Sequence, residues 1–141
     1  MKKLIPLAIA YDFDGTLAPG NMQEHAFLLE VHEKPADFWA EAKRIAADND
    51  MDEILAYMHL MLQKARAAGV SIRRESFVTY GRGIAFFDGV AEWFDRIDAF
   101  GREHGVSVPH YVISSGMREM IAGTAIARHF KCVFASGYLY D

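Results

Sequence analysis

Cysteine is nearly absent. Cys132 is the sole one in 141 residues, which excludes an intrachain disulfide and an all-cysteine zinc site. A reducing, cytoplasmic setting is the simplest expectation. Basic charge is also in short supply: 15 Lys+Arg stand against 19 Asp+Glu, a net charge of −4. That balance argues against nucleic acid as a partner, because gripping phosphate backbones needs a basic surface. No run approaches the ~18 apolar residues of a membrane-crossing helix. Lys2 and Lys3 before Leu4–Ala10 resemble the start of a secretory signal. The run is short, however, and leads straight into Tyr11-Asp12-Phe13-Asp14 with no cleavage-type segment. The expectation is a non-exported protein with no membrane partner.

What is present is globular: 52% apolar and 24% charged residues. Residues 4–11 read as a strand buried on both faces, the pattern of a parallel sheet covered by helices on each side. Pro6 cannot donate to a ladder and so belongs near the strand's start. Helical spacing then dominates to about Arg82. Expected helices run from Glu24 to His32, from Pro35 through Ala46, from an Asp50 or Asp52 cap to Gly69, and through Phe77 and Tyr80. Met58, Met61 and the aromatics in this stretch read as packing. Asp88-Gly89 opens a further helix that closes between Gly101 and Gly105. Val108–Ile113 follows as a strand, Ser114-Ser115-Gly116 as a turn into a helix reaching about His129, and Cys132–Ala135 as a third strand. Strands alternating with helices define an α/β sheet.

Asp12-Phe13-Asp14-Gly15-Thr16-Leu17 carries the chemistry. In an extended chain, side chains two apart point the same way, so Asp12 and Asp14 converge while Phe13 faces the other side. Gly15 then lets the backbone turn away. The carboxyl end of a buried strand is where open α/β sheets bind ligands. A calcium loop is excluded, because its sixth and twelfth positions hold Leu17 and Gln23. Two carboxylates at ~4 Å in an effective dielectric of ~20 repel by on the order of 4 kcal/mol. Protonating one of them or binding a cation relieves this. Both suit phosphoryl transfer, with one aspartate as nucleophile and the other as general acid and base. Ser114, ending a strand ahead of Ser115, Gly116 and a helix, either caps that helix or binds phosphate at its N-terminus.

The strand-borne Asp12–Leu17 motif, followed much later by Tyr111-Val112-Ile113-Ser114-Ser115-Gly116, resembles the haloacid dehalogenase-like superfamily, and within it the phosphoserine-phosphatase-like branch. The resemblance spans nearly the whole chain. It implies a Rossmann-like core from residues 1–19 and 84–141, and a helical cap inserted over residues 20–83. It also implies Asp12 as nucleophile and Mg²⁺ ligand, and Asp14 as general acid and base offering its backbone carbonyl to the same Mg²⁺. Ser114 would hold a phosphoryl oxygen, with Ser115 and Gly116 beside it in the substrate-binding segment. The phosphoserine-specific relatives carry an acidic residue where this chain has Asn21, with Glu24 nearby, so the substrate is expected only to be a small phosphorylated metabolite.

The family also uses a lysine and a distal acidic pair after a later strand, and neither appears before Asp141. Lys131 precedes its strand, at the end opposite Asp12, and does not replace that lysine; Arg128 and His129 share the defect. The core is therefore expected to be truncated, with weak Mg²⁺ and phosphate binding. The first strand is expected to become an exposed apolar edge, completed by further chain or by self-association. The leading expectation is a Mg²⁺-dependent phosphatase working through an aspartyl-phosphate. The alternatives are a phosphomutase and a catalytically incomplete binding module.

Overall fold

The computed structural model describes residues 3–141, so Lys2 of the signal-like start lies outside the described residues. The first apolar segment forms β1 (Ile5–Pro6) and β2 (Ile9–Tyr11). β1 pairs in parallel with β3 (Val106–Ser107), and β2 with β4 (His110–Met117). β4 also pairs in parallel with β5 (Phe130–Ser136), giving the order β2-β4-β5. Pro109 has no N–H for the ladder and separates β3 from β4, yet its carbonyl still accepts the Ile9 N–H at 3.0 Å. The result is an α/β fold of small parallel sheets flanked by helices.

The expectation that residues 4–11 are buried on both faces is not met. Ile5 is 70% and Leu7 60% exposed. β2 is an edge, with a partner on one side only among the described strands. One sheet face is also bare: Ile113 and Phe134, paired across β4 and β5, are exposed, as are Ala10 and Cys132. A continuous apolar run therefore does not decide burial here, because among the described residues the strand is covered on one side only.

Between β2 and β3 lie α1 (Phe27–Glu30), α2 (Pro35–Asp48), α3 (Glu53–Ala67), α4 (Arg74–Arg82) and α5 (Val90–Glu103). Pro35 supplies the preorganised first turn of α2. Asp52 caps α3, its carboxylate accepting the Ile54 and Leu55 N–H groups at 2.9 and 3.1 Å. The helix expected over residues 24–32 is instead a 3₁₀ turn, Met22–Glu24, and the four-residue α1. Phe27 and Leu28 are buried, and the chain then breaks at His32, whose φ is 58°.

α6 (Arg118–Gly123) packs closely on α4. A Cβ at Gly81 would collide with the Met120 carbonyl, and one at Gly123 with the Val78 carbonyl, so both glycines are needed for this approach. A single hydrophobic core joins Phe13, Val112 and Met120 to Phe27, Phe38 and Phe77 of the inserted helices.

A polar chain with His110 buried at its centre braces the end of β2. Trp93 Nε1 donates to Tyr11 Oη at 2.8 Å, and Tyr11 Oη lies 2.9 Å from His110 Nδ1. His110 Nε2 lies 2.9 Å from Asp98 Oδ1. With Nε2 of His110 donating and Nδ1 accepting, every donor in this chain has an acceptor. The network ties β2, β4 and α5 together one residue ahead of Asp12.

Candidate active site

Tyr11 pairs with Val112, so Asp12 and Ser114 both stand just past that register at the carboxyl ends of adjacent parallel strands. Phe13 is fully buried, on the side away from Asp12 as alternation requires. The turn behind Asp12 is tight. The Phe13 carbonyl accepts the N–H groups of Thr16, Leu17 and Ala18 at 3.2, 2.9 and 3.3 Å, and Gly15 N–H donates to the Ala18 carbonyl at 2.7 Å. Gly15 sits at φ 75°, in the left-handed region that glycine tolerates best. None of these turn bonds uses the Asp14 carbonyl.

The two carboxylates occupy different surroundings. Asp12 is exposed, with Oδ1 accepting its neighbour's Phe13 N–H at 2.8 Å. Asp14 is half-buried, with Oδ1 accepting the Met22 N–H at 2.9 Å. Burial pushes the Asp14 carboxyl up to about 6, against the Met22 N–H that favours its charged form, and the nearby Asp12 and Glu24 charges add to the rise. A carboxyl titrating near 6 can give and take a proton close to neutral pH.

Ser114, Ser115 and Gly116 differ from expectation. They do not turn into a helix, because β4 continues to Met117 with an irregular register between Ile113 and Met117. The following helix has six residues, ends at Gly123 rather than near His129, and has Met117 at its N-cap without a side-chain cap. Neither serine caps it. Ser114 Oγ instead accepts the Gly116 N–H at 2.9 Å. The reason is tertiary: Met22 lies against this segment, its Sδ accepting the Met117 N–H at 3.1 Å, and a Cβ at Gly116 would strike the Met22 side chain.

Asp14, Ser115 and Gly116 line one cleft of about 170 Å³, roofed by α2 and the start of α3. Asp12 and Ser114 are not among its lining residues. The roof brings residues that sequence reasoning missed, Trp39, Lys43, Glu53 and Tyr57, and the turn at Met22–Glu24 adds Gln23 beside Asn21, the position the resemblance had singled out. Trp39 Nε1 and Asn21 Nδ2 both donate to Glu24 Oε1, at 2.6 and 2.8 Å. Tyr57 donates to the Ser115 carbonyl at 2.6 Å, joining roof to floor. Gln23 is 1% exposed, and its Oε1 has no hydrogen-bond partner among the described residues. Trp39 and Tyr57 do pack edge to face, 5.7 Å between centroids, so reading them as core captured half of their role. Nothing in their helical spacing announces the other half.

A magnesium ion is compatible with these donors. Mg²⁺ takes hard oxygen ligands, keeps several waters, and needs only one or two carboxylates beside a substrate phosphate. Asp12, Asp14 and the Asp14 carbonyl are oxygen donors of that kind, while no group of three or more acidic, histidine or cysteine side chains gathers for a metal among the described residues. Lys131 lies with Leu4, Pro6 and Ser107 at the opposite end of the strands, where the sequence places it.

Residues 9–140 match the family described as haloacid dehalogenase-like hydrolase. The chain belongs to that family. An uncharacterized protein of Borreliella burgdorferi is 29% identical over 147 residues, an alignment covering 94% of this chain and 51% of that relative. The chain thus spans about half the length of the curated relative it matches. As a haloacid dehalogenase-like hydrolase it carries its acidic motif at the carboxyl end of the first strand of a parallel sheet. Among the described residues no helix is long and apolar enough to cross a membrane.

Proposed function

We propose that this hydrolase cleaves a small phosphomonoester with Mg²⁺, through an aspartyl-phosphate on Asp12. The observation that carries the reading is the division of labour between two aspartates on one turn. Asp12 is exposed and free to attack, whereas Asp14 is half-buried with its carboxyl pushed up to about 6. Asp12 attacks phosphorus as the bond to the ester oxygen breaks, and protonated Asp14 gives its proton to the departing alkoxide. Asp14, now a carboxylate, takes a proton from a water that attacks the aspartyl-phosphate; the bond from Asp12 to phosphorus breaks and inorganic phosphate leaves. Ser114 holds a phosphoryl oxygen, with Ser115 and Gly116 beside it. Asp12 and the Asp14 carbonyl would hold Mg²⁺, which would supply positive charge for the transferring group. Residues 20–83 act as the cap that limits the leaving group's size and excludes water. Branch membership with the phosphoserine phosphatases and a cytoplasmic location belong to the same proposal.

The test is phosphate release from an aryl phosphate with and without Mg²⁺. Release that requires Mg²⁺ and disappears in Asp12→Asn is the expected result; release that survives Asp12→Asn overturns the nucleophile assignment. The bare edge and sheet face favour a second reading, a half-site completed by further chain, which predicts phosphate binding without turnover.

A further inference from the structure

We propose that the cleft beside Asp14 takes the alcohol part of the phosphoester, and that Gln23 in its wall accepts a hydrogen bond from a hydroxyl or amine on that alcohol. The inference deepens the phosphatase reading and rests on it. Asp14, the acid that protonates the departing oxygen, lines this cleft with Ser115 and Gly116, whereas Asp12 and Ser114 do not. The side of the site that Asp14 serves is that of the leaving group. The cleft measures about 170 Å³. A cavity of ~150 Å³ holds one benzene, so the alcohol has roughly six non-hydrogen atoms or fewer.

Gln23 is the unexplained group in that wall. It is 1% exposed, and its Oε1 has no hydrogen-bond partner among the described residues. A buried acceptor without a donor carries a desolvation cost that nothing offsets. Its neighbours in the cleft do not supply the donor: Trp39 Nε1 donates to Glu24, and the Tyr57 hydroxyl to the Ser115 carbonyl. The terminal torsion of a glutamine is broad and two-fold, so Oε1 can turn to a donor in the cleft while the backbone stays in place. That backbone is registered on the acid. The N–H of Met22, one residue before Gln23, donates to Asp14 Oδ1 at 2.9 Å, and the Met22 side chain fills the space at Gly116. Lys43 and Glu53, also on the cleft, are exposed to water, where a hydrogen bond discriminates less than one made at a buried amide. A site that pairs a buried polar atom with a substrate group rejects analogues lacking that group, because the atom is then left unpaired.

Phosphate esters of matched size test this: 2-hydroxyethyl, 2-aminoethyl and propyl phosphate, which place a hydroxyl, an ammonium or a methyl at one position. Phosphate release with Mg²⁺ is compared in the wild type and in Gln23→Met, which keeps the length and removes the amide. The wild type should favour a donor-bearing ester over propyl phosphate by about tenfold or more in kcat/KM, and Gln23→Met should bring that ratio within about threefold of unity. Which of the two donor-bearing esters leads tells a hydroxylated alcohol from an amino alcohol. A wild type indifferent to the terminal group overturns the proposal whether or not the variant folds. So does a preference that survives Gln23→Met. Calorimetric titration with the same esters keeps this failure apart from failure of the hydrolytic reading. A Gln23-dependent preference in binding without turnover sinks only hydrolysis, whereas Asp12-dependent turnover without preference sinks only the glutamine. Neither binding nor turnover of any ester overturns both.

Discussion

Asp14 is where a single residue's surroundings decide chemistry. Its carboxyl is pushed up to about 6 mainly by burial, so the acid form needed to protonate a leaving group fades as pH rises through 6. A phosphomonoester's own second ionisation, near ~6, makes the dianion available over the same interval. The product of the two gives a bell-shaped kcat/KM profile centred near pH 6, and Asp14→Asn should lower activity by ~100-fold or more while removing the alkaline limb. The same shift acts on stability. The folded state holds a proton that the unfolded chain releases above its ordinary value of 3.8, so stability falls as pH rises from about 4 to about 6 and stays lower above that. In metal-free buffer Asp14→Asn should therefore be the more stable protein at pH 8, by on the order of 1–2 kcal/mol, and lose that advantage below pH 4. Urea midpoints at the two pH values check it, and a stabilisation that persists at low pH would point to another cause.

The elements show which features local sequence can carry. α2, α3 and α5 begin where Pro35, Asp52 and Gly89 announce them, because caps and first-turn residues act within one turn of backbone. The Asp12–Leu17 turn was legible for the same reason. The segment 114–117 was not, since its extended form depends on Met22, far away in sequence, packing into the gap at Gly116. The roof of the cleft was hidden too: Trp39, Lys43 and Tyr57 acquire their role only when α2 and α3 lie across the strand ends. The α4–α6 contact is a further case. Gly81 and Gly123 each let one helix touch the other's backbone. Gly123→Ala should cost about 2–3 kcal/mol by overpacking, read as a lower urea midpoint. Gly69→Ala, where an added Cβ meets nothing but φ is 67°, should cost only about 1 kcal/mol.

For the whole molecule, the first strand's apolar run was legible as a sheet strand, but its surroundings were not, because burial on both faces requires neighbours that the described residues do not supply. What remains is a free edge along β1 and β2 adjoining a bare face that displays Ile113 at 61% and Phe134 at 57% exposure. Unpaired strand groups beside exposed apolar side chains template pairing with a like edge. A second copy of this chain is the occupant that offers both the complementary edge and a matching apolar face. The 141-residue chain on its own should therefore sediment above 15.9 kDa at micromolar concentrations. Ile113→Lys with Phe134→Lys places charge on the face and should return it to monomer. Pro in place of Leu7, whose N–H donates to the Ser107 carbonyl at 2.9 Å, is not an equivalent control, because it breaks the strand's own ladder. A monodisperse monomer in the unmodified chain would mean that edge and face are tolerated bare. Association unaffected by the two lysines would move the contact elsewhere on the surface.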